Sequence, residues 1–197
     1  MARGRRVNSS GERSKQLLLE KAIELFSAHG YHQTKISDIV KAANLTQPTF
    51  YLYFHSKESL FNDLNSEFQT SFYEIFNNGL AHLEGNENIR KQMFTMLKDL
   101  FSYFVQHPNL TKIGFFESAE AEEMKRELAN RLVDTVTVHN IKGSMLDHVD
   151  TRIFVESLLG SVERLTLTNL LTEKRTPDML AEDIINIYFA EQEELVH

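Results

Sequence analysis

The side chains best suited to chemistry lie close together between residues 46 and 57. This stretch holds hydroxyl groups, an amide and an ammonium group, at Thr46, Gln47, Thr49 and Lys57. Hydroxyls and lysines are common partners of phosphate oxygens, and an amide side chain can form two hydrogen bonds with adenine. These residue types in one short segment therefore predict contact with a nucleic acid.

Two short helices joined by a tight turn are predicted to position these groups. The first can be capped by Thr34 and has one apolar face, formed by Ile36, Ile39, Val40 and Ala43. Asn44 follows, and asparagine tolerates the left-handed backbone that a tight turn requires. The second helix is predicted to begin near Thr46, with Pro48 in its first turn. In a helix-turn-helix of this kind, Gln47 and Thr49 are placed to reach base edges in the major groove.

A helical pattern continues over the rest of the chain. Apolar spacing from about Ser14 predicts a packing helix that Gly30 ends. Ser56 is a candidate cap for a helix with apolar residues every four positions, namely Leu60, Leu64, Phe68, Phe72 and Phe76. The segment from Gly79 to Asn88 is interpreted as a connection. Further helices are predicted at about 89–106, 109–118, 120–142, 151–173 and 178–194. The sequence therefore predicts an all-α fold.

Charge is divided unevenly along the chain, whose net charge is −7. Residues 1–60 hold nine Lys or Arg against five Asp or Glu, a net charge of +4. Residues 61–197 hold 12 against 23, a net charge of −11. This asymmetry predicts an anion-binding module joined to a body with another role. A solvated basic tail is the alternative, since Arg3, Arg5 and Arg6 lie among small polar residues, although they could also enter a minor groove.

Several function classes find little support in the composition. The chain has no cysteine, which excludes disulfides, thiol nucleophiles and thiolate-bound metals. It also has no phosphate loop and no G-x-S-x-G elbow, and the acidic run from Glu117 to Glu127 is typical of a solvated helix face. We therefore expect neither an enzyme nor a cofactor or metal site, and a helical enzyme is the weaker alternative. No stretch of 18 apolar residues occurs, so a cytoplasmic protein without a membrane partner is expected.

The segment from Gly30 to Phe61 resembles the TetR family of bacterial transcription regulators. That family has a pattern close to GxxxTxxxIAxxAGVSxGTxYxYFxSKExL in its DNA-binding domain. The residues at its characteristic positions are Thr34, Ile39, Ala43, Thr49, Tyr51, Tyr53, Phe54, Ser56, Lys57, Glu58 and Leu60. Three positions depart from it, because Val40, Asn44 and Pro48 replace the usual Ala, Gly and Gly. Val40 and Asn44 preserve packing and turn geometry, whereas Pro48 alters the start of the recognition helix.

The resemblance implies specific roles at the predicted DNA site. Gln47, Thr49 and Tyr51 would face the groove, and Thr34, Tyr53 and Lys57 would contact phosphates. Lys35, Thr46, Pro48 and His55 complete the predicted set. We expect Phe50 and Phe54 to be core residues, with the two tyrosine hydroxyls directed outward. The predicted domains are a basic flexible arm over residues 1–12, a helix-turn-helix domain over 13–60, and an effector-binding and dimerisation domain over 61–197.

The acidic body contains an unusual density of aromatic residues. Those that could line an apolar cavity are Phe94, Phe101, Phe104, Phe115 and Phe116. Polar groups near them that could orient a ligand are His107, Asn109 and Glu117. A cavity of this kind predicts a small apolar or aromatic effector. A filled hydrophobic core is the alternative.

The last two predicted helices offer apolar faces for self-association. One carries Phe154, Leu158, Val162 and Leu165, and the other carries Ile184, Ile187 and Tyr188. The resemblance implies that two such helices pair with their symmetry mates as a four-helix bundle. Packing within a single subunit is the alternative.

Taken with the resemblance, these features predict a transcriptional repressor. We expect it to bind a near-palindromic operator in double-stranded DNA as a homodimer, and to release it when an effector binds. A constitutive DNA-binding factor without an effector is the alternative that shares the same N-terminal chemistry.

Overall fold

The computed structural model describes residues 6–83, 88–139 and 148–189, with only the backbone for residues 6–10 and 139. The helices in these ranges are α1 (Arg6–His29), α2 (Ile36–Ala42), α3 (Gln47–Tyr51), α4 (Lys57–Leu83), α5 (Ile89–Gln106), α6 (Pro108–Thr111), α7 (Ala121–His139), α8 (Thr151–Leu165) and α9 (Pro177–Tyr188). Every regular element of the described ranges is helical, which confirms the predicted all-α fold. None of these helices is long and apolar enough to cross a lipid bilayer.

The chain divides into two compact units, and the division falls within α4. The first unit comprises Met1–Thr70 and Asn109–Ser118, and the second comprises Ser71–Pro108 and Ala119–His197. We had expected a boundary near residue 60. The segment from Asn109 belongs to the first unit because it packs there: the Ser27 hydroxyl donates to Asn109 Oδ1 at 2.8 Å.

Helix α1 begins earlier than its apolar pattern predicts. Residues 6–12, which we expected in a flexible arm, form the first turns of this helix, and residues 1–5 lie outside the described range. The predicted end of α1 is confirmed. Gly30 adopts a φ of +80°, and its N–H donates to the Phe26 carbonyl at 2.7 Å. Glycine adopts this left-handed backbone without a steric penalty, so it closes the helix and turns the chain toward α2.

Helix α4 confirms one prediction and corrects another. Its apolar residues at intervals of four are all buried, namely Leu60, Leu64, Phe68, Phe72 and Phe76. The helix does not stop at Gly79, however, but continues to Leu83. Gly79 serves close packing instead, since a Cβ built on it would lie 2.3 Å from Cγ of Met96 in α5. A helix tolerates an interior glycine where a neighbouring side chain takes the missing volume.

The later helices differ from their predicted bounds mainly at their ends. Short π-helical turns, Lys112–Glu117 and Thr166–Leu170, complete the segments that we predicted as helices 109–118 and 151–173. Helix α9 starts as its sequence indicates, because the Thr176 hydroxyl accepts a hydrogen bond from the Met179 N–H at 3.3 Å. The helix ends at Tyr188, with Phe189 as its C-cap, before the predicted end at residue 194, and residues 190–197 lie outside the described range.

Candidate nucleic-acid interface

The turn between α2 and α3 has the geometry that the sequence predicts. Asn44 adopts a φ of +52°, the left-handed conformation that asparagine tolerates. The Leu45 N–H donates to the Val40 carbonyl at 2.8 Å, which ties the turn back onto α2. The cap of α2 is Lys35 and not Thr34, and the Lys35 N–H donates to Asp38 Oδ2 at 3.0 Å.

Helix α3 is short and is held by its cap and its buried face. The Thr46 hydroxyl accepts a hydrogen bond from the Thr49 N–H at 3.4 Å, and the two threonine hydroxyls lie 2.9 Å apart. Phe50 and Phe54 are buried, with 0% and 2% of their surface exposed, which confirms their predicted place in the core. Gln47, Pro48 and Tyr51 are exposed, and Thr49 is half-buried. The buried rings therefore fix the direction in which the polar face points.

Thr34 lies inside the first unit and does not present its side chain to solvent. Only 3% of its surface is exposed. Its hydroxyl donates to the Gly30 carbonyl at 2.9 Å and approaches the Leu25 carbonyl at 3.3 Å. The structure therefore contradicts the predicted phosphate contact through this hydroxyl, because the hydroxyl is buried and donates to backbone carbonyls of Gly30 and Leu25. Thr34 instead fastens the connection between α1 and α2.

Lys57 is engaged with the same connection. Its ammonium group donates to the Tyr31 carbonyl at 2.6 Å and to the Thr34 carbonyl at 2.9 Å. It also lies 4.1 Å from the centroid of the Tyr31 ring. Burial raises the pKa of the Tyr31 hydroxyl, and the Glu58 carboxylate raises it further, so this phenol stays neutral. We expected Lys57 to contact a phosphate. Its side chain instead joins the start of α4 to the connection between α1 and α2 by hydrogen bonds.

The remaining predicted DNA-site residues lie in different surroundings. Lys35, Thr46 and His55 are exposed. Tyr53 is half-buried, and its hydroxyl lies against α1, where a Cβ built on Gly11 would come within 3.4 Å of it. The exposed side chains on and beside α3 are therefore accessible to solvent, whereas Thr34 and Lys57 bond to the backbone of the connection ahead of α2.

Comparison with known proteins agrees with this geometry. The family model for bacterial regulatory proteins of the tetR family matches residues 18–64. The HTH-type transcriptional regulator YdgC of Bacillus subtilis (strain 168) is 35% identical over 186 residues, which span 92% of this chain and 93% of that protein. This chain belongs to the TetR family.

Two further TetR-like proteins are similar over different parts of the chain. The "Probable acrEF/envCD operon repressor" of Escherichia coli (strain K12) is 37% identical over 129 residues, 62% of this chain and 56% of that protein. The crystal structure of FadR from Bacillus subtilis in complex with stearoyl-CoA has a TM-score of 0.64 at 20% identity, and the match covers 90% of this chain and 99% of FadR. The latter likeness shows the fold. As a TetR-family regulator, the chain is a DNA-binding protein and not an enzyme.

Of the aromatic residues that we predicted around an effector, Phe94 lines a cavity of about 300 Å³ in the second unit of this TetR-family chain, beside Arg90 and Ile185, whereas the buried members of the set are packed in the core. In the second unit, Phe101 and Phe104 have no exposed surface, and in the first unit Phe115 is 3% exposed. A ring without accessible surface borders no space as large as a water molecule. Phe94 and Phe116 are half-buried. The alternative of a filled core therefore holds for the buried members of this set.

The polar groups predicted near that cavity also have other surroundings. His107 is exposed at the end of α5, with its ring 4.9 Å from the ring of Tyr103. Asn109 accepts the hydrogen bond from Ser27 in the first unit. Glu117 is exposed, although partial burial of its carboxyl raises its pKa. None of the three therefore faces an aromatic-lined space within its own unit.

The second unit also contains a cleft that we did not predict from the sequence. It has a volume of about 630 Å³ and lies between the last turns of α4 and the first turns of α5. Its lining residues are Ile75, Asn78, Gly79, His82, Asn88, Lys91, Gln92, Thr95, Met96 and Asp99. Gly79 was the residue in the sequence that could have indicated this cleft, because a glycine inside a helical pattern often marks a place where another part of the chain packs close to the helix. We interpreted it as the end of the helix instead.

Most of the apolar residues predicted at a dimer interface are covered by their own chain. Phe154, Leu158, Val162 and Ile184 each expose 3% or less of their surface. Tyr188 closes this cluster, because its ring lies 5.8 Å from that of Phe154 and its hydroxyl donates to the Ser157 carbonyl at 2.9 Å. Phe154, Leu158, Val162 and Ile184 are therefore buried within one subunit. The prediction that these four residues form the dimer interface is wrong. Leu165 is half-buried, and Ile187 is 67% exposed.

Gln47 is expected to select one base of the operator. Its exposed amide stands at the first position of α3, and an amide that pairs with adenine contributes about 1–3 kcal/mol of discrimination. Gln47→Ala should therefore relax the preference at one base pair and leave the others unchanged, as measured by binding-site selection. A profile identical to that of the parent would contradict a base-reading role.

Proposed function

We propose that this TetR-family regulator is a repressor that binds a near-palindromic operator as a homodimer and releases it when a small effector binds. The observation that carries the proposal is the exposed face of α3, where Gln47 and Tyr51 stand outward above the buried ring of Phe50. The name of the Escherichia coli relative supports repression. A regulator of this kind acts in the cytoplasm, where bacterial DNA lies.

A selection of binding sites from random DNA tests the operator. We expect two inverted half-sites whose centres lie about one helical turn, or a multiple of it, apart. Transcription in vitro from a promoter that overlaps the selected site should then fall when the protein is added. A selection that enriches no sequence would contradict operator binding, and enrichment of single, unpaired sites would contradict the dimer.

The exposed face of α8 is the proposed surface for self-association. Exposed residues repeat there and in the following π-helical turn at alternating intervals of four and three, at Ile153, Ser157, Gly160 and Arg164 in α8 and at Leu167 in the turn. This is the spacing at which two helices pack along a seam. Ile153 is 59% exposed and Leu167 is 39% exposed, and a Cβ built on Gly160 would meet no atom within 4 Å. A second copy of the chain fits this surface because paired half-sites require paired recognition helices.

Ile153→Arg is expected to weaken the dimer at least tenfold. The variant places like charges near one another across a symmetric seam, which costs several kcal/mol. Analytical ultracentrifugation should show a shift from dimer to monomer, and operator affinity should fall with it. Val138→Arg is the control, because Val138 in α7 is 76% exposed and lies outside the seam. A dimer as tight as the parent's in the Ile153 variant would exclude this face.

The cleft between α4 and α5 is the proposed effector site. Its volume of about 630 Å³ lies within the range of small-molecule pockets, and Ile75 and Met96 give it an apolar part. Gln92 Oε1 is buried there, and no donor in the described ranges reaches it. A ligand that donates a hydrogen bond to this oxygen would satisfy it. The lining combines apolar surface with hydrogen-bonding side chains, so the apolar or aromatic effector that we expected would also need polar groups to suit the cleft.

Gln92→Leu is expected to abolish ligand binding without lowering stability. The variant removes a buried acceptor that has no partner, so the free energy of unfolding should stay equal or rise by about 1 kcal/mol. A thermal-shift screen that begins with stearoyl-CoA, the compound in the FadR structure, measures both quantities. Gln106→Leu, at the exposed end of α5, is the control. Ligand stabilisation that survives in the Gln92 variant would exclude the cleft.

Release of the operator requires that the effector prefer one arrangement of the dimer. A ligand shifts an equilibrium only by its differential affinity for the two states, and strong release needs a few kcal/mol. Operator DNA should therefore weaken effector binding by the same factor by which the effector weakens DNA binding. A screen that finds no stabilising compound would favour a constitutive DNA-binding factor.

A further inference from the structure

The outward face of α3 carries an apolar side chain where a DNA-binding surface is usually polar. Leu52, the residue that caps the C-terminal end of this helix, has 77% of its surface exposed. Its backbone remains helical, and its N–H donates to the Thr49 carbonyl at 3.3 Å. The side chain is therefore held in a fixed place on the helix rather than at the end of a loose loop.

Helical geometry places Leu52 on the side opposite to the core. Each residue turns an α-helix by about 100°, so residues four apart share a face and residues two apart lie on opposite sides. Pro48 stands four positions before Leu52, and Phe50, which is fully buried, lies two positions from each. Pro48 and Leu52 therefore form an apolar ridge that points directly away from the core, between Tyr51 on one side and Thr49 on the other.

The chemistry of this ridge limits what it can contact on DNA. Neither side chain can donate a hydrogen bond to a phosphate or to a base edge. The major groove offers one apolar group, the C5-methyl of thymine. We propose that Leu52, with Pro48 beside it, is a specificity-determining residue that reads thymine methyl groups in each half-site. The proposal rests on the operator binding proposed above and adds to it a base and the atom that is read.

An exposed leucine alone would be unremarkable, since single apolar residues are common on protein surfaces. Its position distinguishes it, because the helical rotation places it with Pro48 between Tyr51 and Thr49, on the exposed side of the recognition helix. A leucine that stays exposed at this place becomes buried when the helix enters the groove. Sequence preference at its base pair should then follow the methyl group and not the hydrogen-bonding pattern of the base.

Replacement of thymine by deoxyuridine isolates this contact, because it removes the methyl and leaves the pairing edge unchanged. Each thymine of the selected operator is replaced in turn, and the Kd is measured at one salt concentration. The parent should lose about fourfold in affinity at one or two thymines of each half-site, the factor that corresponds to one buried methyl-sized group. Equal affinity at every position, or a selected half-site without thymine, would overturn the proposal.

Leu52→Ala completes the test. This variant should bind the thymine and deoxyuridine operators equally at the position where the parent distinguishes them, with an unchanged Tm because the side chain is exposed. Val138→Ala, with a similarly exposed side chain in α7, should keep the parent's fourfold difference. A Leu52 variant that still distinguishes the two bases would assign the contact to another side chain. Binding of the unsubstituted operator by the parent reports separately on operator recognition itself.

Discussion

Phe104→Ala is expected to lower the free energy of unfolding by about 3–5 kcal/mol, the usual cost of removing a buried phenylalanine ring. Phe104 has no exposed surface, and its ring stacks on Phe72 with centroids 6.3 Å apart. Phe101 packs beside it, with a centroid distance of 6.5 Å. In a chain of this size, each kcal/mol shifts the Tm by roughly 2–4 °C, so thermal unfolding measures the loss directly.

The neighbouring Val105 provides the control for this prediction. Its side chain is 44% exposed, and Val105→Ala should change stability by no more than about 0.5 kcal/mol. The pair of variants separates the two interpretations of the aromatic cluster. If Phe104 lined a ligand cavity, its removal would enlarge an existing space at little cost. A Tm for Phe104→Ala close to that of Val105→Ala would therefore contradict a filled core.

Lys57→Met is expected to destabilise the chain by about 2–3 kcal/mol. The substitution keeps the length of the side chain and removes the ammonium group that donates to the Tyr31 and Thr34 carbonyls. Hydrogen bonds from a charged donor contribute about 1.5–3 kcal/mol each, and solvent that reaches the freed carbonyls recovers part of the loss. Operator affinity should fall because the frame of the recognition helix loosens.

The salt dependence of operator binding distinguishes a structural role of Lys57, through its hydrogen bonds to carbonyls, from a contact between Lys57 and a DNA phosphate. Because the Lys57 ammonium is held by carbonyls, Lys57→Met should leave the slope of log K against log salt concentration nearly unchanged. Lys35→Met is the matched variant, with an exposed side chain, and it should lower that slope by about one while the Tm stays constant. A lower slope and an unchanged Tm in the Lys57 variant would restore the phosphate role that the sequence suggested.

The helix-turn-helix was predictable because its signals are local. Gly30 and Asn44 stand where the backbone must become left-handed, and few other residues accept that conformation. The pattern of α4 was equally informative, since apolar residues every four positions form one continuous face whatever covers it. Phe50 and Phe54 follow the same logic, because one face of a short helix must be buried to hold it.

The predictions that failed concern contacts between residues that are distant in sequence. An aromatic side chain can line a cavity or fill a core, and the composition is the same in both cases. Phe154 and Leu158 likewise form an apolar face that either a symmetry mate or the same subunit can cover, and here the subunit covers them. Gly79 is ambiguous for the same reason, since only the position of Met96 makes it a contact and not a helix end.

The sequence by itself therefore determined the helices, the turn between α2 and α3, and membership of a DNA-binding family, because these depend on neighbours within a few residues. Tertiary structure alone decided which polar groups remain available. Thr34 and Lys57 carry the chemistry of a phosphate site, but carbonyls 2.6–2.9 Å away already accept the Thr34 hydroxyl proton and two of the three ammonium protons of Lys57. A buried or half-buried polar group binds the nearest partner that the fold supplies. The groups that remain exposed for the proposed DNA contacts include Gln47 and Leu52.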